Sequence, residues 1–313
     1  MVFTEPFKTL TTNYTVLKRK RIYDSMTIQK TLKLEDLKHR QTLNHQKDLE
    51  RLRNFRLLDD DFLTKCFEDN PAGIELVLQI ILDIPDLSVL DVHTQVFVEN
   101  LMYRSIRLDV LATDRNNRKY NVEIQRKDKG AGRKRARYNS SMMDANLLKK
   151  GDDFDSLPET YVIFITENDI MRKEKPLYTI ERYILNTGEL FGDGSHILYV
   201  NGAYRDDSPV GKLMHDFACT DPSDMYYDIL AERVRFFKES KEGTAIMCKA
   251  MEDMRMQSWE EGVQAGRQAG LQEGMKNIAL RMLQARKYTP DEIAEISGLS
   301  PDEIQALKTT PIA

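Results

Sequence analysis

The 313-residue chain is 41% apolar and 31% charged, with a formal net charge of -4 and a mean hydropathy of -0.52. That is enough apolar material for one large domain or two modest ones, and no run approaches the roughly 18 apolar residues of a membrane span, so no membrane partner is expected. The start of the chain lacks the compact apolar stretch of a secretory signal, and Cys66, Cys219 and Cys248 are too scattered for a disulfide framework or a zinc site, so a cytoplasmic protein with buried free thiols is expected.

In chain order, residues 1–56 read as a basic, partly helical extension carrying Lys18-Arg19-Lys20-Arg21. Residues 57–205 read as a compact α/β unit. Apolar positions from Asp61 to Leu82, interrupted at Asn70-Pro71, suit one or two amphipathic helices. Strands follow at Val92 to Val98, Arg104 to Thr113 and Lys119 to Arg126, then a helix over Gly132 to Lys149. Tyr161 to Ile165 is a continuous apolar run, the mark of a strand buried on both faces. Ile180 to Leu185 and His196 to Val200 complete the strands, and none of His93, His196 and His215 is assigned a catalytic role.

Residues 206–287 read as helical, with Ser223 as the N-cap of a helix through Phe237. Gly262, Gly266, Gly270 and Gly274 recur at every fourth position. Each glycine costs a helix about 1 kcal/mol relative to alanine. Two readings remain: a flexible connector, or a flat stripe for close helix packing and homo-oligomer formation. Residues 288–313 repeat one pattern, Thr289-Pro290-Asp291-Glu292-Ile293 and then Ser300-Pro301-Asp302-Glu303-Ile304, each a cap, an N1 proline and acids suited to the helix dipole. This short helical pair lacks arginine on its second helix and reads as a packing module.

The chemistry concentrates on a hairpin. A turn centred on Asn116, within Asp114-Arg115-Asn116-Asn117, sets Asp109 opposite Glu123. Strand alternation gives Glu123, Gln125 and Lys127 one face and turns Val122 and Ile124 the other way, while Leu108, Val110 and Ala112 pack inward and Asp109 projects outward. Facing carboxylates repel unless a cation joins them, and oxygen donors with open positions suit Mg²⁺ or Mn²⁺. The Ile124 backbone carbonyl would complete the protein's ligands, and the cation would lower the pKa of bound water and neutralise charge on a phosphate. The competing reading is a pair of exposed acids on an amphipathic hairpin. Just beyond lie Arg126, Lys127, Lys129, Arg133, Lys134, Arg135 and Arg137, opposed only by Asp128, a local basic patch on an acidic chain.

Several motifs together resemble the Rpn-type recombination-promoting nucleases, the PD-(D/E)XK nuclease family of transposases. They are Arg107-Leu108-Asp109-Val110-Leu111-Ala112-Thr113-Asp114, Tyr120-Asn121-Val122-Glu123-Ile124-Gln125, Arg135-Ala136-Arg137-Tyr138, Tyr161 to Thr166 and Gly192-Asp193-Gly194-Ser195-His196-Ile197. The resemblance implies a restriction-endonuclease-like core, a mixed sheet flanked by helices, ahead of a helical C-terminal extension. It implies a Mg²⁺-dependent endonuclease (Mn²⁺ being the other candidate cation) acting on DNA in recombination or mobile-element activity, in the nucleoid of a bacterial cytoplasm. Asp109 stands at the family's first acid and Glu123 at its second. Gln125 stands where the wider superfamily has lysine and can orient water but carries no charge, so Lys127 becomes the candidate source of that charge. Asp61 or its neighbour Asp60 matches an additional acid, with helix capping as the alternative. Arg133 and Arg137, one turn apart, together with Arg126 and Tyr138, are expected to meet phosphates, although Asn139 replaces a second tyrosine. The rival functions are a catalytically silent DNA-binding or scaffold protein and a nuclease acting on RNA.

Overall fold

A computed structural model of the chain describes residues 42–100, 104–126 and 128–309. Lys127 and the basic run from Lys18 to Arg21 lie outside these residues. A helix over residues 42–53 (α1) leads in. Asn70 and Pro71 then split the next apolar stretch into two helices, α2 (Asp60–Phe67) and α3 (Pro71–Leu82). Asn70 caps α3 by accepting from the Gly73 N–H at 3.1 Å, and Pro71 takes the first helical position, where its missing donor costs nothing.

The main sheet has six strands: β1 (Val89–Val98), β2 (Ile106–Asp114), β3 (Lys119–Gln125), β4 (Thr160–Thr166), β5 (Leu177–Ile180) and β8 (Ser195–Asn201). Two short strands, β6 (Tyr183–Ile184) and β7 (Glu189–Leu190), form a separate ribbon, so the single strand expected from Ile180 to Leu185 is divided in two. The sheet order is β1-β2-β3-β4-β8-β5, antiparallel except for the central β3-β4 and β4-β8 pairs. Helix α4 (Arg133–Leu147) covers one face, resting on β4 and β8, while α2 and α3 pack on β1. With both faces covered, β3 and β4 are buried almost throughout. This mixed sheet flanked by helices is the restriction-endonuclease-like α/β arrangement that the sequence leads one to expect.

The β2-β3 register runs from Val110 opposite Val122 to Thr113 opposite Lys119, the register that a turn centred on Asn116 requires. Asp114 builds that turn. Its Oδ1 accepts the N–H groups of Asn116 at 2.9 Å and Arg118 at 2.8 Å, and its Oδ2 accepts the Tyr120 hydroxyl at 2.9 Å. Asn117 supplies the left-handed residue, with φ 62°, which asparagine tolerates better than most.

After the sheet come α5 (Pro209–Ala218) and α6 (Asp228–Glu239). Ser223 does not cap α6; it lies in a 3₁₀ turn, and α6 begins after Tyr227. The cap comes from α5 instead, because the buried Asp216 carboxylate accepts the N–H groups of Tyr226 and Tyr227, each at 2.8 Å. Of the three thiols Cys66 is buried, whereas Cys219 and Cys248 are half-exposed.

The long helix α7 (Lys241–Ala285) contains the boundary between two compact units, which falls between Cys248 and Lys249. In the second unit, α8 (Pro290–Ser297) and α9 (Pro301–Thr309) join the end of α7 around Ala279, Met282, Ile293, Leu299 and Ile304. Thr289 and Glu292 form a complete capping box, and Ser300 and Glu303 repeat its contacts. Among the described residues nothing beyond the helix's own backbone lies within 4 Å of where a Cβ would sit on Gly262, Gly266, Gly270 or Gly274, and no helix is long and apolar enough to cross a membrane.

Candidate active site

The hairpin carries Asp109 and Glu123 to the step just beyond the last paired rung of β2 and β3. There the ladder gives way to a side-chain contact: the Ile124 N–H donates to Asp109 Oδ2 at 3.0 Å. Neither acid is on the surface. Asp109 is 7% exposed and Glu123 0%, so Asp109 does not project into solvent and the competing reading, a pair of exposed acids, does not hold. The reason is α4, whose Ala136, Asn139 and Met143 close over the acid-bearing face of the sheet.

Burial makes the charge on these groups costly. The Asp109 carboxyl is pushed up to about 8 by burial, with Glu123 and Asp60 adding repulsion, against the pull of the Ile124 N–H and Arg135. Burial also raises Glu123, opposed by Arg135 and the neighbouring Asn121 amide. Arg135 Nη2 lies 2.9 Å from Glu123 Oε2, while Glu123 Oε1 is buried with no hydrogen-bond partner among the described residues. The guanidinium is fixed further by the Gly130 carbonyl at 3.1 Å and sits 5.9 Å from the centre of the Phe164 ring.

Asp60 and Asp61 both lie in the first turn of α2, whose N-cap is Asp59. Asp60 is the carboxylate whose charge acts on Asp109 and Glu123, and its own pKa is raised by partial desolvation and by Asp61. Gln125 ends β3 with its amide against Gly130, where a Cβ would fall 1.7 Å from Oε1. The Gln125 carbonyl accepts from the Glu167 N–H on the β4 side at 3.1 Å. By alternation, the Ile124 N–H and carbonyl face the opposite side, toward Asp109. Lys127 falls outside the described residues.

The basic residues divide into three groups. Arg137 and Tyr138 line a groove of about 1020 Å³ together with Arg104, Arg107, Lys134 and Arg135. Tyr138 braces this wall by donating its hydroxyl to the Arg104 carbonyl. Arg133 turns away from Arg137 into a second pocket, where its Nη2 meets Met171 Sδ at 3.6 Å. Arg126 is held by Asp59 at 2.6 Å and Glu167 at 3.3 Å, and Arg56 bridges the same two acids at 3.8 and 2.9 Å.

Sequence reasoning passed over Arg135, Arg104 and Arg107 as site residues, although the signals were present. Arg135, Asn139 and Met143 follow a four-residue step with two buried members, and Arg107 shares the strand face of Asp109.

The donor set fits a hard divalent cation: two buried carboxylates, one carboxylate oxygen without a partner, and a main-chain carbonyl on the same side. Another cluster, His215, Asp216 and Cys219, brings three donor atoms within 4.8 Å, but its carboxylate already caps α6.

Residues 78–202 match the family model described as PD-(D/E)XK nuclease family transposase, a span that takes in the whole sheet, α4 and both hairpin acids. Searches of curated proteins and of solved structures give no match. PD-(D/E)XK nucleases generally use divalent metal ions, in keeping with the donor set.

Proposed function

We propose that this chain, whose residues 78–202 match the PD-(D/E)XK nuclease family transposase model, is a Mg²⁺-dependent endonuclease that hydrolyses DNA phosphodiester bonds in recombination or mobile-element activity. One observation carries the reading: Arg135 joins the buried Asp109–Glu123 pair to a groove lined by five cations and no acid. Such a groove suits a polyanion, and its net positive field survives the chain's overall charge of -4.

Asp109, Glu123 and the Ile124 carbonyl would hold the cation, with Asp60, or Asp61 beside it, as a further acid. When bound, the cation supplies Lewis acidity and neutralises charge at the scissile phosphate. The chain's own residues do the remaining work. Gln125 orients water through its amide, and Lys127 supplies positive charge two residues further on. Arg135 exchanges its carboxylate partner for a phosphate, a substitution that a bidentate guanidinium makes readily. Arg104, Arg107, Lys134 and Arg137 position the backbone without reading sequence.

The deciding experiment is nicking of supercoiled plasmid with Mg²⁺, against EDTA and the Asp109→Ala and Glu123→Ala variants, with an RNA of matched length alongside. Cutting only by wild type with metal supports the reading. Equal cutting by the variants, or none by any protein, removes it. Binding without cutting would assign a scaffold role, and preference for the RNA would change the substrate.

A further inference from the structure

The structure assigns a second site, on the other side of α4 from the basic groove, and we propose that it takes one unpaired nucleobase together with its phosphate. The pocket holds about 460 Å³, within the range of small-ligand sites. Its floor is apolar and aromatic, from Tyr178, Ile197 and Tyr199 of β5 and β8, with the exposed Ile180 on the rim, and Arg133 and Lys173 stand at its edge. The proposal rests on the chain being a nucleic-acid enzyme and deepens it by naming a substrate feature, an unstacked base near the site of action.

Two observations point to a ligand with both polar and apolar parts. Tyr199 is 2% exposed, and its hydroxyl has no hydrogen-bond partner among the described residues. A buried hydroxyl left unmet is costly, and a native structure rarely keeps one without a use. The charge of Arg133 acts on this hydroxyl, which places Tyr199 near the cationic edge. The opposite wall is fixed independently. Asp169 accepts the Tyr178 hydroxyl at 2.8 Å and the N–H groups of Met171, Arg172, Lys173 and Glu174, holding the loop that presents Met171 and Lys173.

The two components of the pocket narrow the occupant. An inorganic anion would leave the apolar floor uncovered. A purely apolar guest would desolvate Arg133 and Lys173 without compensation. A nucleotide answers both needs, because its base stacks on aromatic side chains, its edge carries hydrogen-bonding groups and its phosphate meets the cations. Helix α4 contributes Arg133 to this pocket and Lys134, Arg135 and Arg137 to the basic groove, so one strand crossing the start of α4 would meet both.

The test uses the full chain in EDTA, where turnover plays no part. Binding of dAMP and dTMP, of deoxyadenosine and of inorganic phosphate is measured by calorimetry. The nucleotides should bind about tenfold or more tighter than either fragment. Arg133→Ala and Lys173→Ala should reduce nucleotide affinity to that of the nucleoside. Tyr199→Phe should weaken nucleotide binding several-fold, by about the worth of one hydrogen bond, while raising the thermal midpoint because it removes an unmet polar group. Ile180→Trp, at an exposed position on the pocket's rim, should block entry without touching the core. Equal affinity for phosphate and nucleotide, or nucleotide binding indifferent to both Tyr199→Phe and Ile180→Trp, would overturn the assignment. Nucleotide binding with this mutational pattern in a chain that cuts nothing would uphold the pocket and reject the nuclease reading.

Discussion

Arg135 Nη2 lies 2.9 Å from Glu123 Oε2, joining a half-exposed cation at 41% to a carboxylate at 0% exposure. The guanidinium therefore holds the carboxylate that a divalent ion would need, and the two cations compete for it. Arg135→Ala should tighten Mn²⁺ binding by about tenfold and weaken DNA binding, because the competing cation and a groove donor are lost together. In EDTA the same variant should lose about 3 kcal/mol of stability, the typical cost of leaving a buried charge unpaired, and Mn²⁺ should restore much of it. Calorimetry and denaturant unfolding with and without Mn²⁺ check this; unchanged metal affinity would show that Arg135 only braces Glu123.

The Asp109 carboxyl, raised to about 8, gives stability a definite pH slope. A folded-state pKa above the unfolded value means that the native state holds the extra proton between roughly pH 4 and pH 8. The resulting stabilisation is complete below the unfolded pKa and is lost as pH rises through about 8. In EDTA, wild-type stability should thus fall by a few kcal/mol over this interval, and Asp109→Asn should flatten the fall. Urea unfolding at several pH values gives the answer, and parallel curves for the two proteins would count against it.

The Asp114 carboxylate accepts three hydrogen bonds and sets the hairpin register. Asp114→Ala should cost about 3 kcal/mol by leaving three donors unmet, and Tyr120→Phe about 1 kcal/mol. Thermal unfolding would measure both. A one-residue slip would turn Asp109 to the wrong face, so any folded Asp114→Ala protein should also lose metal binding.

The glycine stripe makes the opposite prediction. With open space around all four positions, Gly266→Ala and Gly270→Ala should each stabilise α7, by up to about 1 kcal/mol. Circular dichroism melting reads this directly. Destabilisation, or a smaller sedimentation coefficient, would reveal a partner helix seated on the stripe.

The hairpin register was legible because turn formers and strand alternation are local signals, and both agreed on Asn116. The break at Asn70-Pro71 and the paired Thr289 and Ser300 caps were legible for the same reason. The burial of Asp109 and Glu123 was not, because it depends on α4 folding back over the strands. Nor was the start of α6, whose cap Asp216 sits on another helix, and nothing near Ser223 announces that donor. Asp60 was legible only through the family resemblance, as one of two neighbouring acids. Its influence on Glu123 arises from a helix more than fifty positions away in the chain, and no spacing rule reaches that far.

The square formed by Arg56, Asp59, Arg126 and Glu167 bears on how the site can change over time. Two cations alternate with two anions around it, and it ties the head of α2 to the ends of β3 and β4. Loss of any one corner leaves three charges of unequal sign beside Asp60. Among descendants of this sequence, these four positions should therefore vary in compensated pairs or remain together. A lineage that kept Asp59 and Glu167 but lost both arginines would gather four acids at the mouth of the site, and would have to recruit its counter-charge from the nucleic acid's own cations.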